Sequence, residues 1–172
     1  MSYATFLASD IPMPDMENPH QQFLSVNEAL AKGMQLSYVV LDSTTIDRDK
    51  PGVILWVDSE NNLGEITIKG TKQPYYFTDD FGNPPDTDLP CFSSLEWKHS
   101  EERANELIKY IRKHLETAAV LEIWHYWIGC GRDISKGMKK HRITINELAT
   151  DILEKLFVHD SDEYDCIVVR RK

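Results

Sequence analysis

Nine consecutive residues, Val120–Ile128 (VLEIWHYWI), constrain the fold more than any other stretch of the chain. Branched and aromatic side chains dominate the run, and these favour the pleated, packed surface of a sheet. In an extended backbone Leu121, Ile123, His125 and Trp127 share one face. Val120, Glu122, Trp124, Tyr126 and Ile128 share the other. The run reads as a core strand, so a sheet must be built around it.

The clearest helix precedes it. Ser100 opens this helix, with Glu101 and Glu102 in the first turn, where they complement the helix dipole. Ala104, Leu107, Ile108, Ile111 and Leu115 then recur at helical spacing and form one apolar stripe. A second, shorter helix is predicted after Ser25-Val-Asn-Glu28, which has the form of a capping box, with Gly33 placed to end it. Thr144-Ile-Asn-Glu147 has the same form and predicts a helix over roughly 147–156.

Further strands are predicted at Tyr3–Ser9, Leu36–Leu41, Val53–Val57, Gly64–Lys69, Pro74–Thr78, Phe92–Trp97, Arg142–Ile145 and Tyr164–Val169. Asn61-Asn62 suggests that the runs at 53 and 64 form a hairpin, and the run at 142 reads as a partner for Val120–Ile128. Strands outnumber helices and often follow one another directly. The expected class is therefore α+β, an antiparallel or mixed β-sheet with two or three helices packed mainly on one face.

With 172 residues, 41% of them hydrophobic, the chain can bury a core without metal or disulfide staples. No repeat and no Pro/Gly/Ser-rich linker divides it, so residues 1–172 read as a single globular domain. The N-terminus lacks the basic and apolar regions of a secretory signal, and no run approaches the length of a membrane span. Cys91, Cys130 and Cys166 are scattered and form no CxxC pair. A cytoplasmic protein with no metal and no cofactor is expected.

Net charge is −9, from 28 acids against 19 bases. That argues against a general nucleic-acid binder. The charge is uneven: residues 1–100 hold 15 acids and 6 bases, while residues 101–172 hold 13 of each. Such asymmetry suits either solubility or a basic protein partner.

Three segments are candidates for a site. The aromatic strand could line a small-molecule pocket with Trp124, His125 and Trp127, His125 having the pKa for proton transfer. No Ser, Cys or carboxylate partner for His125 can be placed from the sequence. The second candidate is the loop DDFGNPPDTDLP, where Asp79 and Asp80 lie among Tyr75, Tyr76, Phe77 and Phe81. Aromatics in a charged setting suit recognition, and calcium-loop spacing is missing. The third is the basic loop with Arg132, Lys136, Lys139, Lys140 and Arg142, which lacks both named phosphate-loop patterns. No catalytic residue is assigned.

The segments YATFLASDIPMP, ENPH, LSVNEALAKG and PGVILW, with ITINEL and CIVVRR later, resemble an uncharacterised family of small bacterial proteins. That resemblance implies no activity, cofactor or catalytic residue. It is also similar in kind to the small acidic immunity-type or accessory proteins of bacterial gene clusters. The expected function is a non-enzymatic interaction module for a basic partner. The alternative is a small-molecule-binding protein or enzyme with a pocket near Trp124, His125 and Trp127.

Overall fold

The computed structural model describes residues 2–72, 87–128, 138–157 and 164–172, apart from the side chains of Ser2, Trp127 and Ile128. Its contacts divide the chain into two compact units, Met1–Glu17 with Gly64–Lys172, and Asn18–Leu63. The class is α+β, with a mixed six-stranded sheet, a two-stranded sheet and four α-helices among the described residues.

In the first unit, strands β1 (Ser2–Ser9), β4 (Thr67–Thr71), β5 (Cys91–Glu96), β6 (Val120–Ile128), β7 (Lys140–Thr144) and β8 (Cys166–Arg170) form the large sheet. Their order is β4-β5-β1-β6-β8-β7. β6 is central, as its residue types require. It pairs antiparallel with β1 from Ser2↔Ile128 to Ser9↔Leu121, and with β8 from Val120↔Arg170 to Trp124↔Cys166.

Side-chain alternation then builds two apolar layers. Leu7, Leu121, Ile123, Ile167 and Val169 face helices α3 (Glu101–His114) and α4 (Thr150–Phe157), whose Leu107, Ile111, Leu153 and Leu156 are buried. On the opposite face Phe6, Trp124, Tyr126, Cys166 and Val168 pack with Phe92, Leu89 and Met138. Both helices of this unit therefore lie against one sheet face. α3 starts as its sequence predicts, with the Arg103 N–H donating to Ser100 Oγ at 3.3 Å.

Two pairings differ from the sequence reading. β7 does not pair with β6; it lies parallel to β8, which sits between them. Parallel neighbours need a crossover, and α4 supplies it between β7 and β8. The hairpin across Asn61-Asn62 does not form either. β3 (Ile54–Val57) pairs with β2 (Gln21–Leu24), whereas β4 pairs with β5. The Asn pair lies in a 3-10 turn, Glu60–Gly64, too long to act as a two-residue hairpin loop.

The second unit holds β2, β3, α1 (Val26–Ala31) and α2 (Tyr38–Leu41). α1 has the complete capping box: the Glu28 N–H donates to Ser25 Oγ at 3.1 Å and the Ser25 N–H donates to the Glu28 carboxylate at 2.7 Å. Gly33 follows with φ +76, the left-handed conformation that glycine adopts without penalty. The strand predicted at Leu36–Leu41 is instead a single helical turn, in which the Leu41 N–H donates to Ser37 O. β2 carries no strong sequence signal. The strand predicted at Pro74–Thr78 lies outside the described residues.

The second box-like motif also resolves differently. The Thr144 N–H and hydroxyl both donate to the Glu147 carboxylate, at 2.7 and 2.8 Å, but this closes a turn. α4 starts only at Thr150.

Candidate functional site: a ring-lined cleft on the large sheet

Thr5 and His125 are direct partners across β1 and β6, and Tyr3 pairs with Trp127 two residues further on. Alternation puts His125 on the same face as Leu121 and Ile123, which lie in the main core. At His125 the side chains become partly exposed, and a cleft of about 480 Å³ forms. Thr5 and His125 share it with Tyr3, with Phe157 at the end of α4, and with Trp97 and His99 just after β5.

The rings form a continuous series. Tyr3 stacks on His125, 4.6 Å between centroids and 5° between planes. His125 meets Phe157 at 4.9 Å, Phe157 and Trp97 are nearly perpendicular at 4.8 Å, and Trp97 meets His99 at 5.5 Å. These are offset or edge geometries that aromatic quadrupoles favour.

The His125 Nδ1 and Thr5 Oγ1 share a hydrogen bond of 2.7 Å. Its Nε2 has no hydrogen-bond partner among the described residues. Burial pulls the His125 pKa down to about 4, so the ring is neutral at pH 7. The Nε2 of His99 is buried and has no hydrogen-bond partner among the described residues. Lys98 and Glu96 stand at the rim with opposite charges.

Trp124 does not join His125. It is fully enclosed on the opposite sheet face and stacks on Phe6 at 5.8 Å. Its Nε1–H donates to Glu122 at 2.9 Å, and Lys140 Nζ lies 3.3 Å from the same carboxylate and 4.9 Å over the indole. Lys140 of the basic loop is thereby engaged inside the fold, while Lys139 and Arg142 are exposed. The side chain of Trp127, and Tyr75, Tyr76, Phe77, Asp79, Asp80, Phe81, Arg132 and Lys136, lie outside the described residues.

One cluster escaped the sequence reading. Ser9 Oγ is 2.7 Å from His114 Nε2, and Asp10 is adjacent. This is not a nucleophile triad. Ser9 is fully enclosed, and its single proton has Val120 O at 3.0 Å and the Asp10 carboxylate at 3.3 Å as acceptors. The Asp10 carboxylate accepts from the Ala119 and Val120 N–H groups, leaving the imidazole unoriented by it. A triad needs the carboxylate on the imidazole. The cluster instead ties the end of β1 to the end of α3 and the start of β6. His114 falls on the apolar stripe of α3, seven residues after Leu107, and that spacing was the available signal.

Comparison with protein-family models, curated proteins and solved structures finds no match to this chain. Among the described residues no group of three or more His, Cys, Asp or Glu side chains could hold a metal ion. No described helix is long and apolar enough to cross a membrane. Burial pushes the Cys166 thiol well above its ordinary range, which makes it a packing residue and not a nucleophile.

Proposed function

We propose that the protein is a cytoplasmic, non-enzymatic interaction module that binds a basic partner protein through residues 18–63. The observation that carries this reading is the thin core of that unit. It leaves Phe23, Leu30, Tyr38, Val39, Leu55 and Leu63 exposed. Its buried apolar residues are only Leu24, Val26 and Ala29. Phe23 and Leu55 are directly opposite across β2 and β3 and are 62% and 48% exposed, so they form one apolar patch. Exposed apolar patches on small units mark surfaces that a partner covers.

The same unit supplies the charge preference. Glu28, Asp42, Asp47, Asp49, Asp58 and Glu60 are all exposed, against Lys32, Arg48 and Lys50. An excess of exposed acids on the unit that carries the apolar anchors speeds encounter with a basic protein and disfavours acidic ones. The sharpest form of this reading is an immunity-type inhibitor of a basic partner such as a nuclease toxin.

Capture from native lysate by the immobilised full chain tests it. Two variants run alongside: one with Phe23→Ser and Leu55→Ser, one with Asp42→Asn, Asp47→Asn, Asp49→Asn and Asp58→Asn. A basic protein should be retained at low salt and released at about 1 M salt, where screening acts within roughly 3 Å. Both variants should lose it. Capture that ignores salt and both variants, or no capture, refutes the proposal.

A further inference from the structure

The cleft beside His125 lies in the six-stranded unit and needs nothing from residues 18–63. Its lining is unusual for a solvated surface notch. Five rings touch in sequence from Tyr3 to His99, so both faces and edges of aromatic groups converge on one space of about 480 Å³. That volume falls within the range of roughly 300–1,000 Å³ typical of small-molecule clefts. Apolar walls alone would take any greasy ligand. Here His99 Nε2 is buried without a partner among the described residues, and His125, bonded to Thr5 through Nδ1, keeps its Nε2 for a further hydrogen bond. A buried, unpaired polar atom costs free energy until something pairs it.

Neutrality narrows the ligand further. His125 is held neutral by burial. Among the described lining residues the one acid and the one base, Glu96 and Lys98, offset each other. The Thr5 hydroxyl can donate to or accept from Nδ1, and that choice is coupled to the tautomer of a neutral His125. If Thr5 donates to Nδ1, then Nε2 is an N–H donor; if Nδ1 donates, then Nε2 is an acceptor. Either way the ring offers one directional hydrogen bond beside stacking surfaces. We propose that this cleft binds a neutral, planar heteroaromatic small molecule, stacked against the Tyr3, Trp97 and Phe157 rings and hydrogen-bonded to His125 Nε2.

The test is NMR of the full chain with labelled histidine, observing the His125 and His99 ring signals. Adenine, uracil and nicotinamide serve as neutral planar probes; benzoate is the charged aromatic control and cyclohexanol the neutral non-aromatic one. At least one planar probe should shift both histidines saturably and bind tighter than either control. His125→Ala should weaken that probe by about tenfold, the equivalent of one good hydrogen bond. Trp97→Leu, which leaves the hydrogen bond in place, should weaken it as well. The proposal is overturned if no planar probe moves either histidine up to its solubility limit. It is equally overturned if benzoate or cyclohexanol binds as well, or if affinity survives unchanged in Trp97→Leu. The wild-type probe comparison decides even where His125→Ala does not fold.

Discussion

Thr5 Oγ1 lies 2.7 Å from His125 Nδ1, although the two residues are 120 positions apart in the chain. The contact exists because β1 and β6 pair in a register that sets them directly opposite. Thr5→Val keeps the shape of the side chain and removes the hydroxyl. It should cost about 1 kcal/mol, the usual value of one hydrogen bond, and leave Nδ1 unpaired. Urea unfolding measures this as a lower midpoint with an unchanged slope. A midpoint equal to wild type would show that the bond contributes nothing.

The same histidine makes stability depend on pH. Its folded pKa is about 4, against an ordinary value of 6.5, because burial opposes the charged ring. Between those values the unfolded chain binds a proton that the folded chain does not. Stability should therefore fall as pH drops from about 6.5 to about 4, with no further loss from this group below that. Full burial would imply a few kcal/mol at about 1.4 kcal/mol per unit; partial exposure makes roughly 2 kcal/mol the better expectation. His114 adds in the same direction, since burial lowers its pKa while Asp10 partly opposes this. Unfolding midpoints at pH 7, 5.5 and 4.5, for wild type and His125→Gln, should show a shallower decline in the variant. Identical declines would exclude His125 as the cause.

What the sequence made legible was local. Ser25 and Glu28 meet three residues apart, and the α3 stripe needs only its own periodicity. β1 and β6 were readable because their residue types permit little else. Pairing was not readable, since nothing in Arg142–Ile145 says that β8 will insert between it and β6. Leu36–Leu41 has strand-forming residues, yet its last four form a helical turn that begins after Ser37, because context overrides a weak propensity. Within the candidate site, the alternation of β6 already separated Trp124 from His125. The rings that meet His125 come from Tyr3 on β1 and Phe157 on α4, with Trp97 beyond Phe157, and only the fold brings them together.

Asp10 gives a second pH-linked effect at lower pH. Burial pushes its pKa up, but the Ala119 and Val120 N–H groups and the Ser9 hydroxyl more than offset this, so it lies below its ordinary value. Its contribution is present above the ordinary carboxylate range and is lost as pH falls through the lowered pKa. Asp10→Ala should cost about 1–2 kcal/mol at pH 7, from backbone N–H groups left without a charged acceptor. Near pH 2 the two proteins should differ much less. A difference that stays constant from pH 7 to pH 2 would mean that the charge is not what matters.

Phe23 and Leu55 should behave as surface residues in the isolated protein. Replacing both with Ser removes one cross-strand contact, worth roughly 0.2–1 kcal/mol. Thermal unfolding should shift by only a few degrees. Loss of cooperative unfolding would instead assign the pair to the core of residues 18–63, and would remove the docking argument with it.

Lys140 and Glu122 test a different balance. Both side chains are mostly buried, 13% and 9% exposed, and the carboxylate also accepts from Trp124 Nε1–H. Removing one member leaves an uncompensated charge in an apolar layer, which costs far more than the pair contributes. Lys140→Met should therefore destabilise by roughly 3 kcal/mol, and part of this should be recovered when Glu122→Gln is added. Gln keeps an acceptor for the indole N–H while removing the stranded charge. The double variant should be more stable than Lys140→Met alone, and a full thermodynamic cycle measures the coupling. If the two changes simply add, the ion pair is not coupled in the folded protein, and the buried carboxylate is held by Trp124 alone.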